Sequence, residues 1–171
     1  MKKLQTLLLA IFLFSLLNTG CSQNRKSPHE TVSGTIEGAQ IEITYGRPFV
    51  KGRDIWGNLV SYEKVWRTGA DEATTFETDK NLIIAGGLLP KGKYALFTIP
   101  QENGPWQVIF NSNYDQWGAY DYDEEKDILR VDVEPVVTDM TEQLTISIDD
   151  EQDQVNILWD EIMLPLEVGL E

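Results

Sequence analysis

The sequence predicts an all-β fold, an antiparallel β-sandwich of about 8–10 strands with one long loop. Three observations support this fold class. Apolar and polar residues alternate with a period of two through most of the chain after residue 31, as they do on strands with one buried face. Turns rich in glycine, proline and asparagine separate these segments. No segment carries the apolar stripe at helical spacing that a long amphipathic helix needs.

The strands are predicted one by one from this alternation. Residues 40–45, 129–133 and 143–148 alternate most cleanly. The other predicted strands are residues 73–78, 82–85, 94–99, 106–110, 155–159 and 162–168. Residues 89–96 form a turn-then-strand sequence that is common in sandwiches, so we expect an immunoglobulin-like or jelly-roll-like arrangement. Pro165 lacks a backbone donor, which predicts that the last strand lies at a sheet edge.

Length and composition predict one folded domain. The chain has 171 residues, 42% of them hydrophobic, which is enough for a core without disulfides or metals. It carries 14 Lys and Arg against 28 Asp and Glu, a net charge of −14, so we expect no nucleic-acid partner. The acidic excess is local, because residues 115–171 carry 2 basic and 18 acidic groups whereas residues 21–114 carry 10 of each.

The N-terminus has the pattern of an export signal. Two lysines precede an apolar run from residue 7 to residue 17, which is shorter than the about 20 residues that span a bilayer. Asn18-Thr19-Gly20-Cys21 follows this run and resembles the lipobox of bacterial lipoproteins. The resemblance implies cleavage before Cys21 and attachment of lipid to it, so the membrane is an expected partner through Cys21.

These features divide the chain into three predicted parts. Residues 1–20 are the signal peptide, residues 21–29 a polar tether, and residues 30–171 a single β-sandwich domain. Ser22 stands where a signal for inner-membrane retention would place Asp. We therefore expect a lipid-anchored protein of the bacterial cell envelope, at the outer membrane and facing the periplasm.

The segment from residue 45 to residue 72 does not alternate. Four glycines and one proline interrupt it, yet it holds two tryptophans, two tyrosines and five basic residues. A loop of this length in a compact domain is usually a functional loop or a packed Ω-loop.

Several short motifs in this loop and after it belong together. They are Tyr45-Gly46-Arg47-Pro48, Lys51-Gly52-Arg53, Ile55-Trp56-Gly57, Val65-Trp66-Arg67-Thr68-Gly69-Ala70, Gly92-Lys93-Tyr94, Phe97-Thr98-Ile99-Pro100 and Trp117-Gly118. With these motifs the chain resembles, over about residues 27–165, a bacterial envelope family catalogued as domain of unknown function 2911. Ser61 and Asp71 depart from the family pattern, which has Pro and Asn there. The resemblance implies a secreted or lipid-anchored β-rich domain and no particular reaction.

Basic and aromatic residues of the loop form our candidate ligand-binding site. Arginine forks bind carboxylate, phosphate or sulfate, and aromatic faces bind a sugar ring or a base. The alternative is structural: the arginines pair with Asp54, Asp71 and Glu72, and the tryptophans belong to the core. If a second aromatic pair after residue 113 folds against the loop, the joint aromatic platform would suit carbohydrate; packing in a hairpin explains the pair equally well. The candidate residues are Tyr45, Arg47, Lys51, Arg53, Trp56, Trp66, Arg67, Asp71, Glu72, Trp117 and Tyr120.

We expect a non-catalytic binding or accessory module for an anionic small molecule or a glycan. The first alternative is a hydrolase of an envelope or dietary substrate, using Asp71 or Glu72 beside Arg67. The second is a structural subunit of a membrane complex.

His29 is the only histidine and is expected at a strand entry or on the surface, so a nucleophilic dyad is not predicted. We expect no metal and no cofactor, since a zinc site lacks ligands and residues 121–132 fail the EF-hand pattern.

Overall fold

The computed structural model describes residues 26–171, so the predicted signal peptide and Cys21 lie outside the described residues. Ten strands are found in this part of the chain, together with a 3₁₀ turn at Glu124–Lys126. The strands are β1 (His29–Ile36), β2 (Ala39–Gly46), β3 (Thr74–Thr78), β4 (Leu82–Ile84), β5 (Gly87–Leu89), β6 (Gly92–Ile99), β7 (Trp106–Asn111), β8 (Asp127–Val133), β9 (Val136–Asp149) and β10 (Gln154–Leu170). Within residues 26–171, no helix has the length and hydropathy needed to cross a membrane.

The strands form two antiparallel sheets. One has six strands in the order β1-β2-β3-β6-β7-β8, and the other has four in the order β5-β4-β10-β9. Buried side chains of both sheets, such as Ile41 and Ile43 of β2 and Val155 and Ile157 of β10, belong to one apolar cluster. The predicted all-β sandwich is therefore confirmed.

The burial of β2 explains why the alternation predicted strands well. Every second residue from Ala39 onward is buried, whereas Gln40 and Glu42 are exposed. Because side chains on a strand point alternately to opposite faces, this pattern places one face in the core and one in water. The sequence therefore carried the strand signal in its own periodicity.

Strand β10 differs from the prediction in two ways. It is one strand of 17 residues rather than two, because register shifts on both sides of Asp160 break the alternation without ending the strand. It also lies between β4 and β9, so the prediction that Pro165 marks an edge strand is wrong. Pro165 follows the last pair with β9, at Met163, and precedes the first pair with β4, at Val168, so neither ladder needs its missing N–H.

Two strands were not predicted separately. Strand β1 is exposed at most of its positions and begins at His29, the last residue of the predicted tether. Strand β5 has only three residues and directly follows the turn at Gly86. Both are weak in the sequence because β1 has few buried positions and β5 is too short to show an alternation.

The long loop is confirmed as a segment outside the strands, between the end of β2 at Gly46 and the start of β3 at Thr74. Isolated bridges fix it to both sheets: Phe49 pairs with Gln143 of β9, and Trp66 pairs with Thr98 of β6. The loop is thus a packed element whose side chains have defined positions.

Candidate functional site

Four tryptophans pack against one another beneath the loop: Trp56, Trp66, Trp106 and Trp159. The rings of Trp66 and Trp159 stack with centroids 5.6 Å apart, and Trp56 meets the other three edge-on at centroid distances of 4.7–5.8 Å. Distances in this range favour aromatic pairs. The backbone N–H of Trp66 donates to the carbonyl of Thr98 at 2.8 Å, which ties the cluster to β6. The tryptophans therefore form a rigid apolar floor.

A cavity of about 450 Å³ lies between this floor and the loop. Its apolar lining includes Phe49, Trp66 and Trp159. Its ionic lining consists of Lys26, Lys51, Arg53, Arg67 and Asp71. Cations outnumber carboxylates here by four to one, in a chain whose net charge is −14. We call this cavity the basic cavity, and its lining suits an anion that carries an apolar face.

Arg67 is the cation of the basic cavity with a buried nitrogen that has no hydrogen-bond partner among the described residues. Among the described residues its guanidinium makes no ion pair, and its Nε is buried without a hydrogen-bond partner. Its side chain passes Gly118, where a Cβ would lie 3.9 Å from the Arg67 Cδ. A buried donor without an acceptor costs about 1–3 kcal/mol, so an anion at this point would be stabilised strongly.

Lys51 and Arg53 are oriented by the loop itself. The Nε of Arg53 donates to the carbonyl of Val50 at 2.9 Å, and a terminal nitrogen donates to the carbonyl of Phe49. The Lys51 Nζ lies 5.2 Å from the centroid of the Phe49 ring. Among the described residues neither side chain forms an ion pair, although the Glu142 carboxylate accepts the backbone N–H of Lys51 at 2.9 Å.

Three candidate residues lie outside the basic cavity and have structural positions. Tyr45 is buried in the core, where its hydroxyl accepts a backbone N–H of β9 at 2.8 Å and burial raises its pKa. Arg47 forms an ion pair with Glu30 of β1 and donates from Nε to the carbonyl of Leu144 at 2.9 Å. Trp56 belongs to the floor. Arg47 therefore joins the two sheets rather than facing a ligand.

The structural alternative expected the arginines to pair with acidic residues of the loop, and the observed pairing is different. Neither Arg47, Arg53 nor Arg67 forms an ion pair with Asp54, Asp71 or Glu72 among the described residues. The carboxylate partner of Arg47 comes instead from β1, a strand that the sequence did not predict. One arginine is thus structural, and the other two remain open to a ligand.

Trp117 and Tyr120 do not join the basic cavity. Their exposed fractions are 56% and 84%, and they lie beyond the Asp71–Glu72 segment. Trp117 pairs with Glu72 in an isolated bridge, and the N–H of Gly118 donates to the carbonyl of Asp71 at 3.1 Å. Trp117 lines a second, more open cavity of about 680 Å³. The predicted joint platform of the two aromatic groups is therefore not formed.

His29 lies beside two carboxylates at the edge of this second cavity. Its Nε2 is 3.0 Å from a carboxylate oxygen of Glu72 and 3.8 Å from one of Asp71. One donor atom from each of the three residues lies within 4.8 Å of the others. An imidazole with two carboxylates is a set that can hold a divalent metal. No sequence pattern indicates this cluster, because the pairing of β1 with β2 brings His29 to a loop far along the chain.

Fold and site together define a β-sandwich whose long loop covers a cation-lined, aromatic-floored cavity. A family model described as "Protein of unknown function (DUF2911)" matches residues 27–168, and the chain belongs to this family. The resemblance inferred from the loop motifs is thereby confirmed. No curated protein and no solved structure matches the chain.

Proposed function

We propose that the protein is a non-catalytic binding module of the bacterial envelope, anchored by lipid at Cys21, whose ligand is an anionic small molecule or an acidic glycan. The observation that carries this proposal is the basic cavity: four cations and one carboxylate over a floor of tryptophans. The ligand's negative group binds Arg67, and its apolar face packs on Trp66 and Trp159.

The uneven pairing of the arginines supports a ligand over a purely structural loop. Arg47 has an acidic partner and carbonyl acceptors, as an arginine that only stabilises the fold needs. Arg67 has neither, although its Nε is buried. Since a buried N–H donor without an acceptor is unfavourable, the position of this Nε favours a bound anion as the missing partner.

Binding is favoured over hydrolysis by the positions of the carboxylates. A catalytic acid is expected in a cleft with a raised pKa. Burial first, and then the charges of Glu161, Asp54 and Glu142, raise the pKa of Asp160, but Asp160 lines neither of the two cavities described above. Asp71 faces the basic cavity among four cations, where it suits hydrogen bonds from ligand hydroxyl groups.

The proposed anchor would hold the cavity close to the membrane. Lys26 lines the basic cavity and lies five residues after Cys21. Five extended residues reach about 17 Å, so a ligand in the cavity would lie within that distance of the lipid attachment point. This supports a ligand that is found at, or passes along, a membrane surface.

A thermal-shift screen of the full chain tests the proposal. Phosphate, sulfate, citrate and glucuronate are compared with neutral glucose. An anion at 100 times its dissociation constant stabilises the folded state by about 2.7 kcal/mol, a rise in Tm of about 5–11 °C. Arg67→Gln should remove the shift. Lys64→Gln removes one charge from the same loop but not from the cavity, and should leave the shift unchanged.

Two results would count against the proposal. The first is that no anion raises the Tm more than glucose does. The second is that Lys64→Gln weakens the shift as much as Arg67→Gln, because binding would then depend on general charge rather than on the cavity.

A further inference from the structure

We propose that His29, Asp71, Glu72 and Gln116 form a binding site for one divalent transition-metal ion of the zinc type. This site shares Asp71 with the lining of the basic cavity, but its other three residues do not line that cavity, and it does not depend on the proposed function. It lies on the other side of the Asp71–Glu72 segment, at the edge of the second cavity.

The distances between the donor atoms fit a small cation. Zinc binds histidine nitrogen and carboxylate oxygen at about 2.0–2.2 Å, so two ligands at a tetrahedral angle are about 3.4 Å apart. The separations from the His29 Nε2 are 3.0 Å to Glu72 and 3.8 Å to Asp71, on either side of that value. The His29 nitrogen is thus placed to share an ion with these carboxylates, and the donor atoms of all three residues lie within 4.8 Å of one another.

Gln116 provides an independent indication of a ligand at this place. It is only 8% exposed, and its Oε1 is buried without a hydrogen-bond partner among the described residues. Its Nε2 donates to the carbonyl of Asn113, so the other end of the amide group carries the oxygen without a partner. Gln116 lines the same cavity as His29 and Glu72, so a cation or a cation-bound water would satisfy this oxygen.

The backbone holds Gln116 next to the segment that carries Asp71 and Glu72. The N–H of Ala73 donates to the carbonyl of Gln116 at 3.1 Å, and Glu72 pairs with Trp117. The loop end and the segment after β7 are therefore tied together at the point where the donors meet. Such support is needed to keep ligands in position before the ion binds.

The charge of the second cavity is opposite to that of the basic cavity. Besides His29 and Glu72, its ionic lining contains Asp115, Asp121 and Lys93. Two ligand carboxylates neutralise a divalent ion, and the further carboxylates favour its approach. The imidazole selects against calcium, which takes six to eight oxygen ligands, and in favour of zinc and similar ions.

Calorimetric titration of Zn²⁺ into the metal-free full chain tests the site. We expect saturable binding of one ion through these residues. His29→Gln and Glu72→Gln should each weaken it about 100-fold, and Asp71→Asn, which keeps an amide oxygen, about 10-fold. Glu134→Gln is the matched control: it removes a carboxylate from the exposed connection after β8 and should leave the affinity unchanged. The thiol of Cys21 is present in every variant, so zinc bound there does not change between them.

The proposal fails if the wild-type chain binds no zinc, or if His29→Gln and Glu72→Gln bind it as tightly as Glu134→Gln does. Near-ultraviolet circular dichroism checks folding. Should His29→Gln unfold, Glu72→Gln and Gln116→Met decide the matter, and Gln116→Met should also weaken binding. Arg67→Gln should retain the zinc site, so loss of anion binding and loss of metal binding are distinguishable.

Discussion

Arg47 and Arg67 stand in the same loop and carry the same charge, yet we expect their replacement by alanine to have opposite consequences. Arg47→Ala should destabilise the fold without acting directly on the basic cavity. Arg67→Ala should leave stability nearly unchanged and abolish anion binding. Because both variants lose the same side chain, each is the matched control of the other.

The magnitude for Arg47 follows from its contacts. It donates to the Leu144 carbonyl at 2.9 Å and to the Thr145 hydroxyl at 3.0 Å, and each hydrogen bond from a charged donor contributes about 1.5 kcal/mol. The ion pair with Glu30 adds only about 0.5 kcal/mol, since the side chains are 23% and 43% exposed. The expected loss is about 3.5 kcal/mol, or about 7–14 °C in Tm.

For Arg67 the same reasoning predicts a change within about 1 kcal/mol. No hydrogen bond or ion pair of its side chain is lost among the described residues, and a buried Nε without a partner is removed. Urea unfolding followed by tryptophan fluorescence measures both variants, and the thermal-shift screen measures binding. Equal losses of stability in the two variants would refute the distinction between a structural and a ligand-binding arginine.

Three further predictions concern other parts of the molecule. Gly46→Ala should cost about 3 kcal/mol or more in urea unfolding, because a Cβ there would lie 2.1 Å from the Ala70 carbonyl oxygen; Gly104→Ala, in open space at φ 83°, should cost about 1 kcal/mol. Burial raises the pKa of Tyr45, Tyr94 and Tyr122 above 10.0, so the folded state keeps protons that the unfolded state loses. The contribution of these tyrosines to the free energy of unfolding should thus be constant well below pH 10 and fall above it by up to about 1.4 kcal/mol per pH unit and tyrosine. The fall should be less steep in Tyr122→Phe, as urea unfolding at pH 9 and 11 would measure. Cys21→Ala should move the protein from the membrane to the soluble fraction; unchanged fractionation would contradict the lipid anchor.

The parts of the fold that the sequence predicted are those set by local periodicity. Strand β2 alternates because one face is buried, and the loop is marked by glycine, proline and its lack of alternation. Strand β10 was divided because the bulge at Asp160 shifts the register, an effect that depends on its pairing with β9. Local patterns do not contain that information.

The site was predictable only in part for the same reason. Lys51, Arg53, Trp66, Arg67 and Asp71 lie close in sequence and do line one cavity, as the loop composition indicated. Trp159 completes the floor from β10, and His29 reaches the loop from β1. Their positions follow from sheet order, which brings together segments far apart in the chain, and no spacing motif records it.

Backbone strain in the loop indicates that its conformation does more than connect β2 to β3. Four non-glycine residues have positive φ there, namely Lys51, Glu63, Thr68 and Asp71, with values of 51–66°. Each costs about 1–2 kcal/mol relative to an ordinary conformation. Thr68 is β-branched and fully buried, and it persists there because its carbonyl accepts the Thr74 hydroxyl at 2.8 Å. A connector could avoid this cost with glycine. Here the strain falls on Lys51 and Asp71, which line the basic cavity, and on the residue after Arg67, so the loop holds its charged side chains at the cavity against the preference of the backbone.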